Sequence, residues 1–341
     1  MYPFTEQVFI IAELSANHNN DFDLAVDTIK AMAKAGANAV KVQTYTADSL
    51  AINIDNDIFG ERKDGLWKGR TLWDLYKEAS MPYEWHEPLQ KVAQELGLVF
   101  FSSPFDLDGV ALLEQLDVPL YKIASFEITD IPLIRAVAKT GKPIIISTGV
   151  AQETDISLAL ETCHQEKNFQ VTLLKCTSNY PSTLADANLK TMIDMRDKFD
   201  TIVGVSDHTM GAVVPVTAAA MGARVIEKHF ILDRALGGPD SAFSMEPDEF
   251  ADMVEGVRQV ELALGKVTYE VSEKDKLRRR SLYASVPIEK GQPFTHDNVK
   301  SLRTGFGLAP QYLDALLSRN ASRTYDIGDP ILAEEVNAID D

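Results

Sequence analysis

Two histidines and two lysines carry the first chemical signal in the 341-residue chain. His208 and His229 close two short apolar runs, GVSDH and VIEKH. If those runs are neighbouring strands, the imidazoles meet across about one strand spacing, roughly 5 Å. Two imidazoles with open coordination positions suit a manganese, cobalt, zinc or magnesium ion that also binds water and a substrate oxygen. The competing reading is one satisfied core histidine beside a general base. Lys41 in AVKVQT and Lys122 in LYKIAS interrupt apolar runs, and a buried ammonium requires an anion. That anion can be a neighbouring carboxylate such as Glu13 or Glu127, and a Schiff-base lysine is a further option. Two such lysines among the hydroxyls of Ser103, Ser125, Ser147 and Ser206 better suit a phosphate or phospho-carboxylate pocket. None of these serines lies in a Gly-rich nucleotide motif, so no nucleotide is expected, nor flavin or pyridoxal phosphate. Glu227 stands two residues before His229, which puts both on one face of a strand and turns Lys228 to the other. His86, His164 and His296 fall in helical or loop patterns and read as surface residues.

The elements that must position these groups alternate regularly. Short runs apolar on both faces cover 8–13, 39–44, 98–103, 120–125, 143–148, 171–177, 201–207 and 224–230, as in a parallel sheet buried on both sides. Helical patterns between them cover 24–35, 85–96, 130–139, 156–166, 189–198, 212–221 and 247–264. Eight strands alternating with helices predict an α/β fold, a (β/α)8 TIM barrel, with its chemistry at the strand ends. A doubly wound sheet would need a Gly-rich phosphate turn after the first strand, and none is present. The long irregular segment 47–70 reads as a lid or substrate wall.

The alternation stops after Leu264. We read 1–271 as the barrel, 272–281 as a charged linker (SEKDKLRRR) and 282–341 as a small β-rich domain punctuated by Gly and Pro turns, with a marginal core of its own. Lys and Arg total 33 against 51 Asp and Glu, a net charge of −18. That excludes a nucleic-acid surface, which shows a basic stripe, and argues against an anionic membrane partner. It leaves room for an anionic substrate in a closed site. Cys163 and Cys176 lack CxxC spacing, which fits a reduced cytoplasmic protein. The N-terminal MYPFTEQVFIIAE shows no targeting pattern.

In chain order the motifs IIAELSANHNN, KVQTY, FSSPFD, YKIASFEITD, ISTGV, LLKCTSNYPS, GVSDHT and IEKHFILDR resemble the sialic acid (nonulosonic acid) synthase family. The tail, RRSLYASVPIEKGQPFTHDNVKSLRTGFGLAP, looks like the antifreeze-like (SAF) β-clip domain of that family. Within the family, ELSANH and GPDSAFSMEP look most like the pseudaminic acid synthase branch, with N-acetylneuraminate and legionaminate synthases as alternatives. A metal-dependent barrel hydrolase and a carbohydrate-binding scaffold are the more distant readings. Two departures stand out: Asn20 occupies a position where Gly is common, and Thr304 replaces a proline after Arg303.

The resemblance implies that phosphoenolpyruvate and an open-chain amino-sugar aldehyde condense with water, releasing phosphate by C–O cleavage. It implies one divalent metal, manganese, cobalt or magnesium, on His208 and His229. Lys41, Lys122, Ser103, Ser125, Ser147, Ser178 and Ser206 match the phosphoenolpyruvate pocket, and Glu13 the carboxylate at the reacting carbons. Glu227 and Asp240 match acidic positions around the sugar, and Gln43 and Tyr180 further wall positions. Arg303 matches an arginine given to the partner subunit's site in a domain-exchanged homodimer. The expected product belongs to cell-surface glycans, flagellin glycosylation included. For a 6-deoxy sugar, Phe243 is a candidate apolar wall for the methyl group.

Overall fold

The computed structural model describes residues 7–63 and 68–336. The first six residues, used in the targeting reading, and the last five of the tail lie outside the described residues. Eight parallel strands close into a barrel: β1 Phe9–Glu13, β2 Ala39–Thr44, β3 Val99–Pro104, β4 Tyr121–Ile123, β5 Ile144–Ser147, β6 Val171–Cys176, β7 Ile202–Asp207 and β8 Val225–His229. Each pairs with the next, and β8 closes on β1 through Glu13↔His229. The barrel expectation holds. The strand before Ser125 is shorter than the apolar run suggests. The chain leaves the sheet after Ile123 and turns through Ser125–Glu127, so β3 and β4 share the single pair Ser102↔Tyr121.

Side-chain alternation sorts each strand into two faces. Outward residues such as Ile10, Val40, Phe100, Ile146 and Ile226 pack in the large core cluster together with helix residues. Inward residues of the first turns, including Phe9, Ile11, Phe101, Ile145, Leu174 and Val225, form a separate buried cluster that fills the lower barrel. Gly204 belongs to this crowded interior. A Cβ there would stand 2.0 Å from the Val225 carbonyl oxygen, so no larger residue fits.

The helix Leu107–Gln115 follows β3 and was not among the expected helices. Asp106 caps it, accepting from the Gly109 N–H at 2.6 Å, while Val110 and Leu113 face the core. The segment after β2 folds into helices Ala47–Leu50 and Leu72–Ala79. Among the described residues no helix is long and apolar enough to cross a membrane.

The chain divides into two compact units, one ending at Gly265 and one beginning at Lys266. The second contains β9 Arg280–Ala284 and β10 Val299–Arg303, an antiparallel pair. Its core gathers Leu282, Ile288, Phe294, Val299, Leu316 and Tyr325. Part of the charged stretch is ordered structure: Ser272 caps the helix Glu273–Lys276, and Arg280 opens β9.

Candidate active site

Two residues beyond the apolar plug, the inward positions turn polar on every strand that reaches the site. Glu13, Lys41, Ser103, Lys122, Ser147, Cys176, Ser206, Glu227 and His229 all follow the inward phase of their strands, and all but His229 are buried. This is the C-terminal end of the barrel, where substrate chemistry is placed in this architecture.

The charged centre is a cluster of four. Lys41 Nζ contacts the Glu13 carboxylate and lies 3.7 Å from Glu227 Oε1. Lys122 Nζ lies 4.0 Å from the same Glu227 oxygen and donates to the Ile123 carbonyl at 2.9 Å. Ser206 Oγ donates to Glu227 Oε1 at 2.9 Å. Burial pushes Glu227 up, but Lys122 and Lys41 outweigh it and hold the carboxylate ionised below its usual range. Glu13 goes the other way: burial outweighs the pull of Lys41, Glu227 adds repulsion, and the group rises to about 7. Two carboxylates in one pocket are thereby split, one permanently charged and one poised to exchange a proton near neutrality. Burial also lowers Lys122. For Lys41 the carboxylates of Glu13 and Glu227 overcome burial and hold the ammonium charged.

The serines form the rest of this pocket. Lys41 Nζ approaches Ser103 Oγ at 3.5 Å. Ser147 Oγ is buried without a hydrogen-bond partner among the described residues, a cost of about 1–3 kcal/mol unless a ligand satisfies it. Ser125 Oγ accepts from the Gly149 N–H at 3.1 Å. A Cβ on Gly149 would stand 2.2 Å from Ser178 Oγ and 2.9 Å from Ser125 Oγ. The gap between those two hydroxyls therefore exists only because residue 149 is glycine, a role its ISTGV motif did not reveal.

His208 and His229 do meet, with ring centroids 5.2 Å apart. His208 Nδ1 lies 2.9 Å from the Thr177 carbonyl oxygen, which makes that nitrogen the donor; against burial, Cys176 and this carbonyl raise the ring above its ordinary value, so Nε2 offers a lone pair to a metal only once it has given up its proton. His229 Nδ1 is buried without a hydrogen bond, 3.9 Å from Asp240 Oδ2. Burial, then the positive neighbours, pull His229 well below its ordinary value, so the ring is neutral and able to ligate. The donor set fits a divalent cation. Among the described residues no group of three or more His, Cys, Asp or Glu is assembled for a metal, so water and substrate oxygens would complete its shell.

Two sequence expectations are corrected. Phe243 is 1% exposed, with its ring centroid 4.9 Å from His229 and 5.1 Å from Tyr180. It backs the histidine pair and is not among the residues lining the cavity. His86 is buried, not superficial: its Nε2 lies 2.8 Å from Thr44 Oγ1, which lies 2.6 Å from Ser102 Oγ. His164 and His296 are exposed as expected. Lys228 does turn outward, onto Asp207 Oδ2 at 2.6 Å. Asn20 adopts φ +55°, the left-handed backbone that explains a glycine preference there and that asparagine tolerates. Arg303 ends β10 in the second unit and is exposed; the following Thr304 accepts from the Tyr283 hydroxyl at 2.8 Å.

The cavity above this centre measures about 470 Å³ and is walled by Gln43, Ser125, Ser178, Tyr180, His229 and Asp240 together with residues of the 47–79 segment. Gln43 Nε2 donates at 3.1 Å to both Glu13 Oε1 and Ser15 Oγ, and Ser15 Oγ donates to Asp240. Ser15 and Cys176 were missed. Cys176 faces inward by strand alternation; His208, Ser125 and Lys122 overcome burial and bring its thiol down to about 7. A larger cleft of about 760 Å³ lies at the opposite, N-terminal end of the strands, away from all these groups.

The NeuB family model matches residues 28–269, and the SAF domain model matches residues 279–337. A pseudaminic acid synthase of Campylobacter jejuni is 47% identical over 329 residues, 96% of each chain. One of Helicobacter pylori is 44% identical over 331 residues, 96% of this chain and 97% of that one. The crystal structure of an N-acetylneuraminic acid (sialic acid) synthetase from Leptospira borgpetersenii matches with TM-score 0.70 and 34% identity, covering 79% of this chain and 89% of that one. The chain belongs to the NeuB family and carries an SAF domain after its barrel in the sequence.

Proposed function

We propose that the protein is a pseudaminic acid synthase. It condenses phosphoenolpyruvate with 2,4-diacetamido-2,4,6-trideoxy-β-L-altropyranose and water, giving pseudaminic acid and phosphate. The observation that carries this reading is the near full-length identity of 47% to such a synthase, joined to a barrel end where buried Lys41 meets Glu13, whose carboxyl rises to about 7, and both Lys41 and Lys122 approach the ionised Glu227.

In this reading Lys41 and Lys122, with Ser103, Ser125, Ser147, Ser178 and Ser206, hold the carboxylate and phosphate of phosphoenolpyruvate. Removal of water around these charges strengthens their hold. A divalent cation bound by His208 and His229 would polarise the aldehyde carbonyl as a Lewis acid. Carbon 3 of the enol then attacks the aldehyde carbon, and water adds to carbon 2. Glu13, oriented by Gln43, takes a proton from that water at a carboxylate oxygen and passes it to the alkoxide formed at the former aldehyde carbon. Collapse of the tetrahedral adduct breaks the C–O bond and expels phosphate. Glu227 stays ionised and keeps both ammonium groups in place, while Tyr180 and Asp240 flank the sugar. Arg303 would serve the site of a partner subunit in a domain-exchanged dimer, and the reaction would run in the cytoplasm.

The test is phosphate release from phosphoenolpyruvate across a panel of amino sugars, with product mass and with chelator. Release with the 6-deoxy diacetamido sugar and a product of pseudaminic acid mass is the expected result. No release with any sugar overturns the synthase reading. Release that a chelator leaves unchanged overturns the metal role.

A further inference from the structure

The loop after β1 reaches across to the loop after β8 through every second residue. Asn19 Nδ2 donates to the carbonyls of Leu236 and Gly237 at 3.3 and 3.4 Å. Asn17 Nδ2 donates to the Phe230 carbonyl and to Ser244 Oγ, both at 2.8 Å. Ser15, the innermost of the three, donates its hydroxyl proton to Asp240 Oδ2. It differs from the other two, because its oxygen also accepts from Gln43 Nε2 at 3.1 Å. The second hydrogen of that amide goes to Glu13 Oε1, again at 3.1 Å. One hydroxyl therefore joins Glu13 and Gln43, on β1 and β2, to Asp240 in the loop after β8. Ser15 makes this link from an unfavourable backbone. Its φ is +46°, a region that glycine enters freely and serine does not. Strain of this kind persists where the surrounding contacts over-determine it, and it gathers at functional sites.

We infer that Ser15 is a positioning residue of the reaction: its hydroxyl fixes Gln43, and through it the Glu13 carboxyl, in one geometry relative to Asp240. The inference rests on the synthase reading above. There Glu13 takes a proton from the attacking water while Asp240 flanks the sugar, so the two must hold a set relation as the new bonds form. The terminal torsion of a glutamine is broad, and a carboxamide held by Glu13 alone can turn about it. With both hydrogens committed, the Gln43 amide has one orientation. Without Ser15, Asp240 Oδ2 is left with the Ala16 N–H at 3.5 Å as its hydrogen-bond partner among the described residues. A misplacement of about 1 Å in such a constellation costs up to about 100-fold in rate. Glycine at position 15 relieves the backbone and deletes the link, whereas alanine deletes the link and keeps the strain.

The experiment uses the full chain with divalent metal, phosphoenolpyruvate and the 2,4-diacetamido-2,4,6-trideoxy sugar. Ser15→Ala and Ser15→Gly should each lower kcat/KM for the sugar by about 10- to 100-fold, with KM for phosphoenolpyruvate unchanged within about twofold. Ser15→Gly should nonetheless melt above Ser15→Ala, by about 2 °C, and it carries the test by itself if the alanine variant fails to fold. Asn19→Gly cuts a tie between the same two loops at a residue that also has φ +46°. Its kcat/KM should stay within about threefold of wild type. Wild-type kinetics in the Ser15 variants overturn the positioning role and leave the synthase reading standing. Recovery of activity in Ser15→Gly alone does the same, because Ser15 then acts only through its backbone. So does a loss in Asn19→Gly equal to that of the Ser15 variants, which reduces Ser15 to a tie between loops. No turnover of the sugar by the wild type removes the synthase reading itself, and the positioning role with it.

Discussion

The lower and upper layers of the barrel interior lie on the same strands, two residues apart, and obey opposite rules. Below, Phe9, Ile11, Phe101, Ile145, Leu174 and Val225 form a dry plug. Above, Glu13, Lys41, Ser147, Cys176 and Glu227 occupy the next inward positions and His229 the one beyond Glu227, several with buried atoms that have no hydrogen-bond partner among the described residues. The plug stabilises the barrel by apolar burial and seals its far end. Over that sealed floor the lysines and carboxylates act without competing water, which raises the strength of each interaction. Stability and chemistry are thus separated by about 7 Å along each strand, and substitutions in the two layers should fail differently.

The largest effect is expected in the upper layer. His229→Ala should lower kcat by about 10⁴-fold, roughly 5 kcal/mol of barrier, while the urea midpoint stays close to wild type. A collapse of the midpoint would break the separation of layers. Phe101→Ala in the plug should do the reverse, costing about 3–5 kcal/mol of stability through lost burial and a cavity. The kcat of its folded fraction should stay within a few-fold of wild type; a loss comparable to that of His229→Ala would show that the floor shapes the site directly.

A smaller effect concerns the loop that follows β1. Burial brings His18 down to about 4, and its Nδ1 accepts from the Asn20 N–H at 3.0 Å, a contact only the neutral ring can make. The unfolded chain binds a proton near 6.5, so between pH 6.5 and 4 it holds more protons than the folded one. Stability from His18 is therefore complete above about 6.5 and is lost as pH falls toward 4, roughly 3 kcal/mol in all. Urea titrations at pH 7 and pH 5 should show this slope in the wild type and a shallower one in His18→Asn. Identical slopes would place acid sensitivity elsewhere, with buried His86 next in line.

Strand alternation made much of the site legible. Once β2 and β8 were placed, Lys41 with Gln43 and Glu227 with His229 had to face inward, and Lys228 had to face out. The same rule applied to β6 gives Cys176, which was missed because its cysteine was weighed only for redox and metal use. The Leu107–Gln115 helix carried a readable signal in Asp106, Val110 and Leu113, blurred by Gly109 within it. His86 was misread because a helical position does not reveal whether Thr44 and Ser102 of two neighbouring strands lie behind it.

By itself the sequence determined the order of strands and helices, the inward phase of the candidate site residues and the family. Those follow from local periodicity and short motifs, which depend on neighbours along the chain. Only the tertiary structure decided that the two carboxylates shift in opposite directions, because both are buried but Glu227 lies near Lys41, Lys122 and Ser206, whereas Glu13 contacts Lys41 and Gln43. It also placed Phe243 behind the histidines and brought Leu50, Leu72, Leu75 and Tyr76 to the wall of the cavity. Both outcomes depend on contacts between residues far apart in sequence, and no local pattern encodes their distances.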